Sequence, residues 1–330
     1  MSKPKSFEPV KVGVIGLGRF GRLHSLSLAA LAEAELVGVV ARRQESIDKL
    51  RLELPDVLGW TDLDEAIAKS GAEAWVVACS TPQHVAVTRP LLKAGCHVLL
   101  EKPISDSLAE AESLAPLVRP DSSNLMIGHI LLFNSEFRGL REEAAKRSGI
   151  SHIDCARHRP ASIVHDFPGE NPLQATMVHD LYCIQVLMNR EEPIRIRGQF
   201  HRTSTGAVDL AMAQLQFPNG AWASCVSSYM TPGGMAPRGF DRTEVFGPGW
   251  SARISPNPRP IEVFDERAIW PMPLEIRTDP YGPTGMMAEE LRCFCRVVRG
   301  VEPVPAGATY HDALQVQKWL DRIEKAALAQ

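Results

Sequence analysis

The sequence predicts a two-domain α/β protein, in which an N-terminal doubly wound parallel sheet is followed by an α+β domain with a large open, mainly antiparallel sheet. Three observations carry that prediction. Short β-branched runs alternate with helically spaced apolar positions through the first third of the chain, a glycine turn joins the first run to the first helix, and beyond residue 128 the strands lengthen and are separated by turn signals.

Lys11 to Ile15 is a β-branched run that stops at Gly16, and from Phe20 the apolar spacing (Phe20, Leu23, Leu26, Leu28, Leu31) becomes helical. The same alternation recurs three times: Leu36 to Val40 with a polar helical stretch to Leu52, Ala74 to Ala78 with Gln83 to Ala94, and His97 to Leu100 with Ser107 to Val118. Repeated βα units of this length imply a parallel sheet covered on both faces. Two prolines with Asp121, Ser122 and Ser123 break the pattern between Pro116 and Asn124, and a strand from Leu125 to Gly128 closes a first domain over residues 1–128. Residues 129–330 form the second domain, for substrate and oligomer contacts, whose last helix can pack back on the first. Its strands are Ile150 to Ala156, Ile194 to His201, Val208 to Phe217 and Ala221 to Ser228, with Pro218-Asn219-Gly220 as a hairpin loop. Helices are expected over Asn134 to Lys146, Pro172 to Met188, Thr284 to Val298 and Tyr310 to Ala327, and the proline-rich Pro248 to Pro273 reads as loop and edge strand.

Composition narrows the function classes. The 330 residues are 45% hydrophobic and 23% charged, which is the balance of a soluble globular protein. A net charge of -3 offers no field to gather nucleic acid or an anionic membrane, so a small-molecule partner is expected. Met1 to Val10 has no apolar h-region and no later run approaches the roughly 18 to 20 apolar residues of a membrane span, which implies a cytoplasmic protein. Seven scattered cysteines do not form a disulfide scaffold, and Cys293 and Cys295 lack a second ligand pair for zinc, so no metal is expected.

Gly16-Leu-Gly18-Arg-Phe-Gly21 fits GxGxxG directly after a strand and at the opening of a helix, the context of a Rossmann dinucleotide site. Gly16 serves the tight turn, Gly18 the close approach of a pyrophosphate and Gly21 the packing of helix on strand, with Arg19 and Phe20 between them. Arg19 can contact phosphate or stand solvated at the helix start. After the second strand come Ala41, Arg42 and Arg43, where an acid would bind ribose hydroxyls and an arginine a 2′-phosphate; Glu33 and Glu35 lie at the strand's other end. Two guanidiniums and no acid favour NADP(H) over NAD(H). Glu101-Lys102-Pro103 follows the strand from His97 to Leu100, at the sheet edge where such folds bind ligands, and Lys102 there can hydrogen-bond a substrate hydroxyl or relay a proton.

Taken together, Gly16 to Gly21 with His24, Cys79-Ser-Thr-Pro-Gln-His84, Ala94-Gly-Cys-His-Val-Leu-Leu-Glu-Lys-Pro103 and Gly128-His-Ile-Leu-Leu-Phe-Asn134 resemble the glucose-fructose oxidoreductase / inositol dehydrogenase / rhizopine catabolism (Gfo/Idh/MocA) family. The tail, Met286 to Gly300 with His311-Asp-Ala313, is similar to that family's C-terminal pattern. The resemblance implies an NAD(P)-dependent dehydrogenase or reductase acting on CH–OH groups of a sugar, cyclitol or sugar derivative, assembled as a homodimer or homotetramer. It places Thr81, Pro82 and His84, with Ser80 beside them, along the nicotinamide, makes Lys102 the catalytic lysine, and puts a substrate-binding side chain where Arg157 stands.

The family's aspartate, three residues and histidine motif, commonly followed by Asp-Ile-Asp, is matched by Ala175-Thr-Met-Val-His179-Asp180-Leu-Tyr182. His179 is kept for acid–base work and substrate binding, whereas Ala175 and Tyr182 replace aspartates; Asp166 and Glu170 are possible substitutes. Two alternatives stay open: a non-catalytic dinucleotide-binding regulator of the same fold, and a reductase of a non-sugar ring or imine.

Overall fold

In a computed structural model of the chain, residues 8–165, 169–235, 239–257, 263–264, 268–269, 276–278 and 282–329 are described. They fall into two compact units, Met1–Phe133 with Glu275–Leu314, and Asn134–Leu274 with Gln315–Gln330.

The first unit is built on β1 (Val10–Ile15), β2 (Ala34–Val40), β3 (Gly59–Trp60), β4 (Ala74–Val77), β5 (His97–Glu101) and β6 (Leu125–Gly128), all parallel, in the order β3-β2-β1-β4-β5-β6. α1 (Arg19–Ala30), α2 (Gln44–Arg51), α3 (Leu63–Lys69), α4 (His84–Lys93) and α5 (Leu108–Glu112) connect the strands. The residues of β4 are fully buried, as strands covered on both faces must be. The strand order reverses between β1 and β4, so the carboxyl end of β1 is the switch point at which doubly wound sheets open a crevice. β3 and α3 were not expected. β3 has two residues, too few to show a period, and α3 is a seven-residue helix held at its start by Asp62, whose Oδ1 accepts the Glu65 N–H at 2.8 Å. α5 is shorter than the predicted helix because Pro116 lies in a separate turn, Ala115–Leu117.

After residue 128 the first unit runs on to Phe133 and then regains Glu275–Leu314, which contains α8 (Met286–Val298). Arg299 at the end of this helix seats it: its guanidinium donates to both Glu73 carboxylate oxygens at 2.6 and 2.7 Å and to the carbonyls of Glu8 and Pro9.

The second unit holds α6 (Ser135–Ala145), β7 (His152–Pro160), α7 (Val178–Leu187), β8 (Arg195–Arg202), β9 (Val208–Gln216), β10 (Trp222–Thr231), β11 (Phe240–Gly247) and β12 (Trp250–Asn257). The strand order is β12-β11-β7-β10-β9-β8, with β7 and β10 parallel and every other neighbour antiparallel. β9 and β10 meet at the predicted turn, closed by the Gly220 N–H on the Phe217 carbonyl at 3.0 Å, with Gly220 at φ +87. β12 is the edge strand foreseen in the proline-rich stretch, whose remainder lies mostly outside the described residues. β11 is an unforeseen strand. α9 (Tyr310–Leu328) spans the unit boundary, and from Gln315 it belongs to the second unit. There it lies so close to β8 that a Cβ on Gly198 would stand 2.2 Å from the Ile323 carbonyl oxygen.

Register assigns the two faces of this sheet. Ala211 and Ala213 of β9, Cys225 of β10, Cys155 and Arg157 of β7, and Asp241, Thr243 and Val245 of β11 are buried on one face. Met212, Phe240 and Phe246 lie on the other, exposed, beside the ion pairs of Arg242 with Asp154 and of Arg253 with Glu244.

Candidate active site

In the first unit the glycine turn follows β1 at the switch point. Gly16 adopts φ +89, its N–H bonds the Val40 carbonyl at 2.9 Å, and a Cβ there would lie 2.5 Å from the Cys79 backbone. A Cβ on Gly21 would stand 1.7 Å from the Gly16 carbonyl oxygen, so this glycine lets α1 close on the turn. Gly18 is the contrast: a Cβ there would meet nothing within 4 Å. It is the N-cap of α1, in extended conformation, and no side chain caps the helix start. The positive end of the helix therefore looks onto open space that a backbone without Cβ leaves accessible, which fits a pyrophosphate. Arg19 is exposed and Phe20 half-buried at this start.

At the end of β2, Ala41 is buried and its N–H bonds the Trp60 carbonyl at 3.1 Å. Arg42 and Arg43 are exposed and have no ion-pair partner among the described residues. After β4, Ser80 and Pro82 are exposed and Thr81 is buried in a short turn that leads into α4. Burial pushes the neighbouring Cys79 thiol up to about 11, so it stays protonated at neutral pH and offers no thiolate nucleophile.

His84 opens α4 and is 1% exposed; its Nδ1 lies 2.8 Å from the Pro103 carbonyl and its Nε2 lies 3.1 Å from the Cys79 carbonyl. It ties the loop after β4 to the loop that carries half-buried Lys102. Burial holds this imidazole below its ordinary range, against the two carbonyls and the carboxylates Glu101 and Asp106, which pull it up. The unfolded chain therefore takes a proton near pH 6.5 that the folded chain takes only at lower pH. Stability is expected to fall as pH drops below about 6.5, by at most about 1.4 kcal/mol per pH unit for this one group. Urea unfolding at pH 7.5, 6.5 and 5.5 measures this, and His84→Gln should reduce the acid sensitivity; an unchanged slope would rule out His84 as its source.

Glu101 ends β5, and its Oε1 accepts from His24 Nε2 of α1 at 2.8 Å, so its carboxylate is tied to the helix of the glycine turn.

In the second unit His179 stands out by exposure. From Ala175 to Met188 every residue is buried except His179, which is half-buried. A helix buried on all sides opens at one imidazole. Ala175, in place of the family aspartate, packs with Ile163 and Tyr229 in a small apolar cluster, where a carboxylate would be desolvated. Of the two substitutes, Asp166 lies outside the described residues and the Glu170 carbonyl accepts from the Tyr229 hydroxyl at 3.3 Å; Tyr182, at the other replaced aspartate, is 1% exposed.

From sequence Arg157 meets a substrate group; in the structure its guanidinium is buried among carboxylates. Nε and Nη2 donate to Asp180 at 3.2 and 2.8 Å, and Nη1 donates to Asp241 at 2.7 Å. Arg159 closes the network with a two-pronged contact on Asp241 at 2.6 and 2.9 Å. Burial pulls the Arg157 pKa down, but the two carboxylates outweigh it and the group is held above its ordinary value. Asp180 follows His179 directly, so the geometry makes Arg157 the anchor of α7 on β7. Sequence reasoning missed both acidic partners. Asp180 was visible as an acid beside His179, whereas Asp241 became legible only once β11 was placed opposite β7.

The chain matches two family profiles, "Oxidoreductase family, NAD-binding Rossmann fold" over residues 10–129 and "GFO/IDH/MocA C-terminal domain" over residues 124–252. It is 28% identical over 222 residues to UDP-N-acetylglucosamine 3-dehydrogenase of Acidithiobacillus ferrooxidans, covering 66% of this chain and 67% of that one. It is also 28% identical over 249 residues to myo-inositol 2-dehydrogenase of Thermotoga maritima, covering 72% and 73%. Among solved structures, GenD2 from gentamicin A biosynthesis in complex with NAD shares the fold with a TM-score of 0.85 at 20% identity, over 99% of this chain and 97% of that one. Myo-inositol 2-dehydrogenase from Lactobacillus plantarum has a TM-score of 0.82 at 20% identity, over 97% and 98%. No helix among the described residues is long and apolar enough to cross a membrane. With both profiles matched in sequence order and both sheets in place, the chain belongs to the Gfo/Idh/MocA oxidoreductase family.

Proposed function

We propose that the chain is a dehydrogenase or reductase that prefers NADP(H) and acts on a CH–OH carbon of a sugar, cyclitol or sugar derivative. The observation that carries the reading is His179, the single opening in an otherwise buried helix, in a family member that also keeps Lys102. His179 takes or returns the hydroxyl proton, and Lys102 polarises a substrate oxygen. When bound, nicotinamide supplies the hydride acceptor or donor. Gly16, Gly18 and Gly21 hold the phosphates, Arg42 and Arg43 receive the 2′-phosphate, and Thr81 with its neighbours faces the ring. Polyhydroxylated rings are the substrates in the names of the two relatives above, and that supports this substrate class. Screening inositols, hexoses, sugar acids and UDP-sugars with both cofactors tests it. Dinucleotide binding without turnover of any of them would favour a regulator instead.

For the cofactor, Gly18→Ala should fold like the wild type, because the added methyl meets no protein atom within 4 Å, yet bind dinucleotide at least about tenfold more weakly. Arg42→Ala or Arg43→Ala should lose about 1.5 to 3 kcal/mol with NADP, roughly ten- to a hundredfold, and little with NAD. Fluorescence titration of each variant with both cofactors decides. NADP affinity equal to wild type in both arginine variants would remove the preference.

The exposed Met212, Phe240 and Phe246 on one sheet face support an isologous homodimer or homotetramer built on that face. Light scattering at micromolar concentration should return a multiple of 36.3 kDa, and Phe246→Glu should lower it. A wild-type mass of one chain would refute the assembly.

A further inference from the structure

We propose that His24, Glu101 and Glu290 of the first unit form a binding site for one divalent first-row transition-metal ion. The three residues come from α1, β5 and α8, and one ligand atom of each lies within 4.8 Å of the other two. Metal bonds of about 2.0 to 2.2 Å to imidazole nitrogen and carboxylate oxygen set ligand atoms roughly 3 to 4 Å apart, so small side-chain adjustments bring this trio around an ion.

Glu290 carries the inference. It is 0% exposed, and neither carboxylate oxygen has a hydrogen-bond partner among the described residues. A buried carboxylate is ordinarily paired with a cation, a donor or a metal. His24 is equally buried; its Nε2 meets Glu101 at 2.8 Å, and its Nδ1 has no partner among the described residues. Two carboxylates and one neutral imidazole sum to a charge that a divalent cation balances. A proton on Glu290 is the competing way to relieve the charge, and burial beside Glu101 favours it. That proton would still leave the carboxyl oxygens without partners, whereas an ion supplies both the charge and the bond. One imidazole with two carboxylates suits zinc, iron or manganese in the divalent state. Three protein ligands leave a position for water, and the ion would clamp α8 to α1 and β5.

This site does not depend on the proposed reaction, and the test needs no substrate. The full-length protein is stripped with a chelator, desalted, incubated with Zn²⁺ or Mn²⁺ alone, desalted again and analysed by mass spectrometry for metal. Wild type is expected to retain about one equivalent more than Glu290→Gln, and its melting temperature should rise with metal concentration while that of the variant does not. X-ray absorption at the zinc edge of the wild type keeps the test independent of how the variant folds: it should show nitrogen and oxygen donors only. Retention of no metal by wild type, equal retention by Glu290→Gln, or sulfur in the ion's first coordination sphere would overturn the site. Greater stability of Glu290→Leu than of a wild type that retains no metal would assign Glu290 as a buried acid instead.

Discussion

Lys102→Ala is expected to lower turnover on a screened substrate by about 10²- to 10⁴-fold, the scale of positioned acid–base assistance, while dinucleotide affinity changes little. The two effects separate because different parts of the first unit produce them. Phosphate binding rests on the turn after β1, where a Cβ at Gly16 or Gly21 would collide with backbone and one at Gly18 would not. Lys102 follows β5, and its loop is tied to the loop after β4 through His84. Removing the ammonium takes away an electrophile for the substrate oxygen and leaves the turn alone. His179→Ala should also lower turnover and flatten the pH dependence near neutrality, where imidazoles ordinarily titrate. If both side chains serve one oxygen, the double variant should lose much less than the product of the single losses. Stopped-flow hydride transfer and cofactor titration of the three variants provide the test. Wild-type turnover in His179→Ala would move the proton to another group, and a parallel loss of cofactor binding in Lys102→Ala would make that lysine a cofactor ligand.

The parts of this molecule that were legible in sequence are those in which local pattern and tertiary environment coincide. β4 and β6 are buried throughout, β1 everywhere except Lys11, and β5 between His97 and Glu101, so each carries an apolar run, and the glycine turn is a local device whose spacing is its geometry. β11 is different. Its outward positions Arg242 and Glu244 pair with Asp154 and Arg253 across the open face, so charged residues stand where β-branched ones would have announced a strand. β3 is too short to show a period. The site divides in the same way. Lys102 and His179 sit in motifs, but the partners that decide what neighbouring groups do are distant in sequence: Asp180 is 23 residues and Asp241 is 84 residues from Arg157. Glu290 did give a signal, since it occupies the buried stripe of α8 with Met286 and Phe294, four residues away on either side, where a charge is out of place.

The buried arginine network predicts the largest loss of stability. Arg157→Ala is expected to cost about 3 to 5 kcal/mol, because it leaves Asp180, 1% exposed, as a charge taken out of water with its guanidinium gone. Asp241 suffers less, since Arg159 keeps its two-pronged hold on it. Arg157→Lys should recover only part of the loss, because an ammonium cannot reproduce a fork that spans two carboxylates. Arg157→Met combined with Asp180→Leu should recover more than Arg157→Lys, since removing both buried charges together removes their desolvation penalty as well. Burial already pushes the Asp180 carboxyl upward against the pull of Arg157, so in Arg157→Ala this group is driven further toward its protonated form. The variant should therefore be least stable relative to wild type at neutral and alkaline pH, and the gap should narrow toward pH 5 as Asp180 takes a proton that the folded state prefers. Urea midpoints of the four proteins between pH 5 and 8 measure both the size and the slope. A loss below about 1 kcal/mol, or a gap that widens on acidification, would show that Arg157 does not anchor α7 through Asp180.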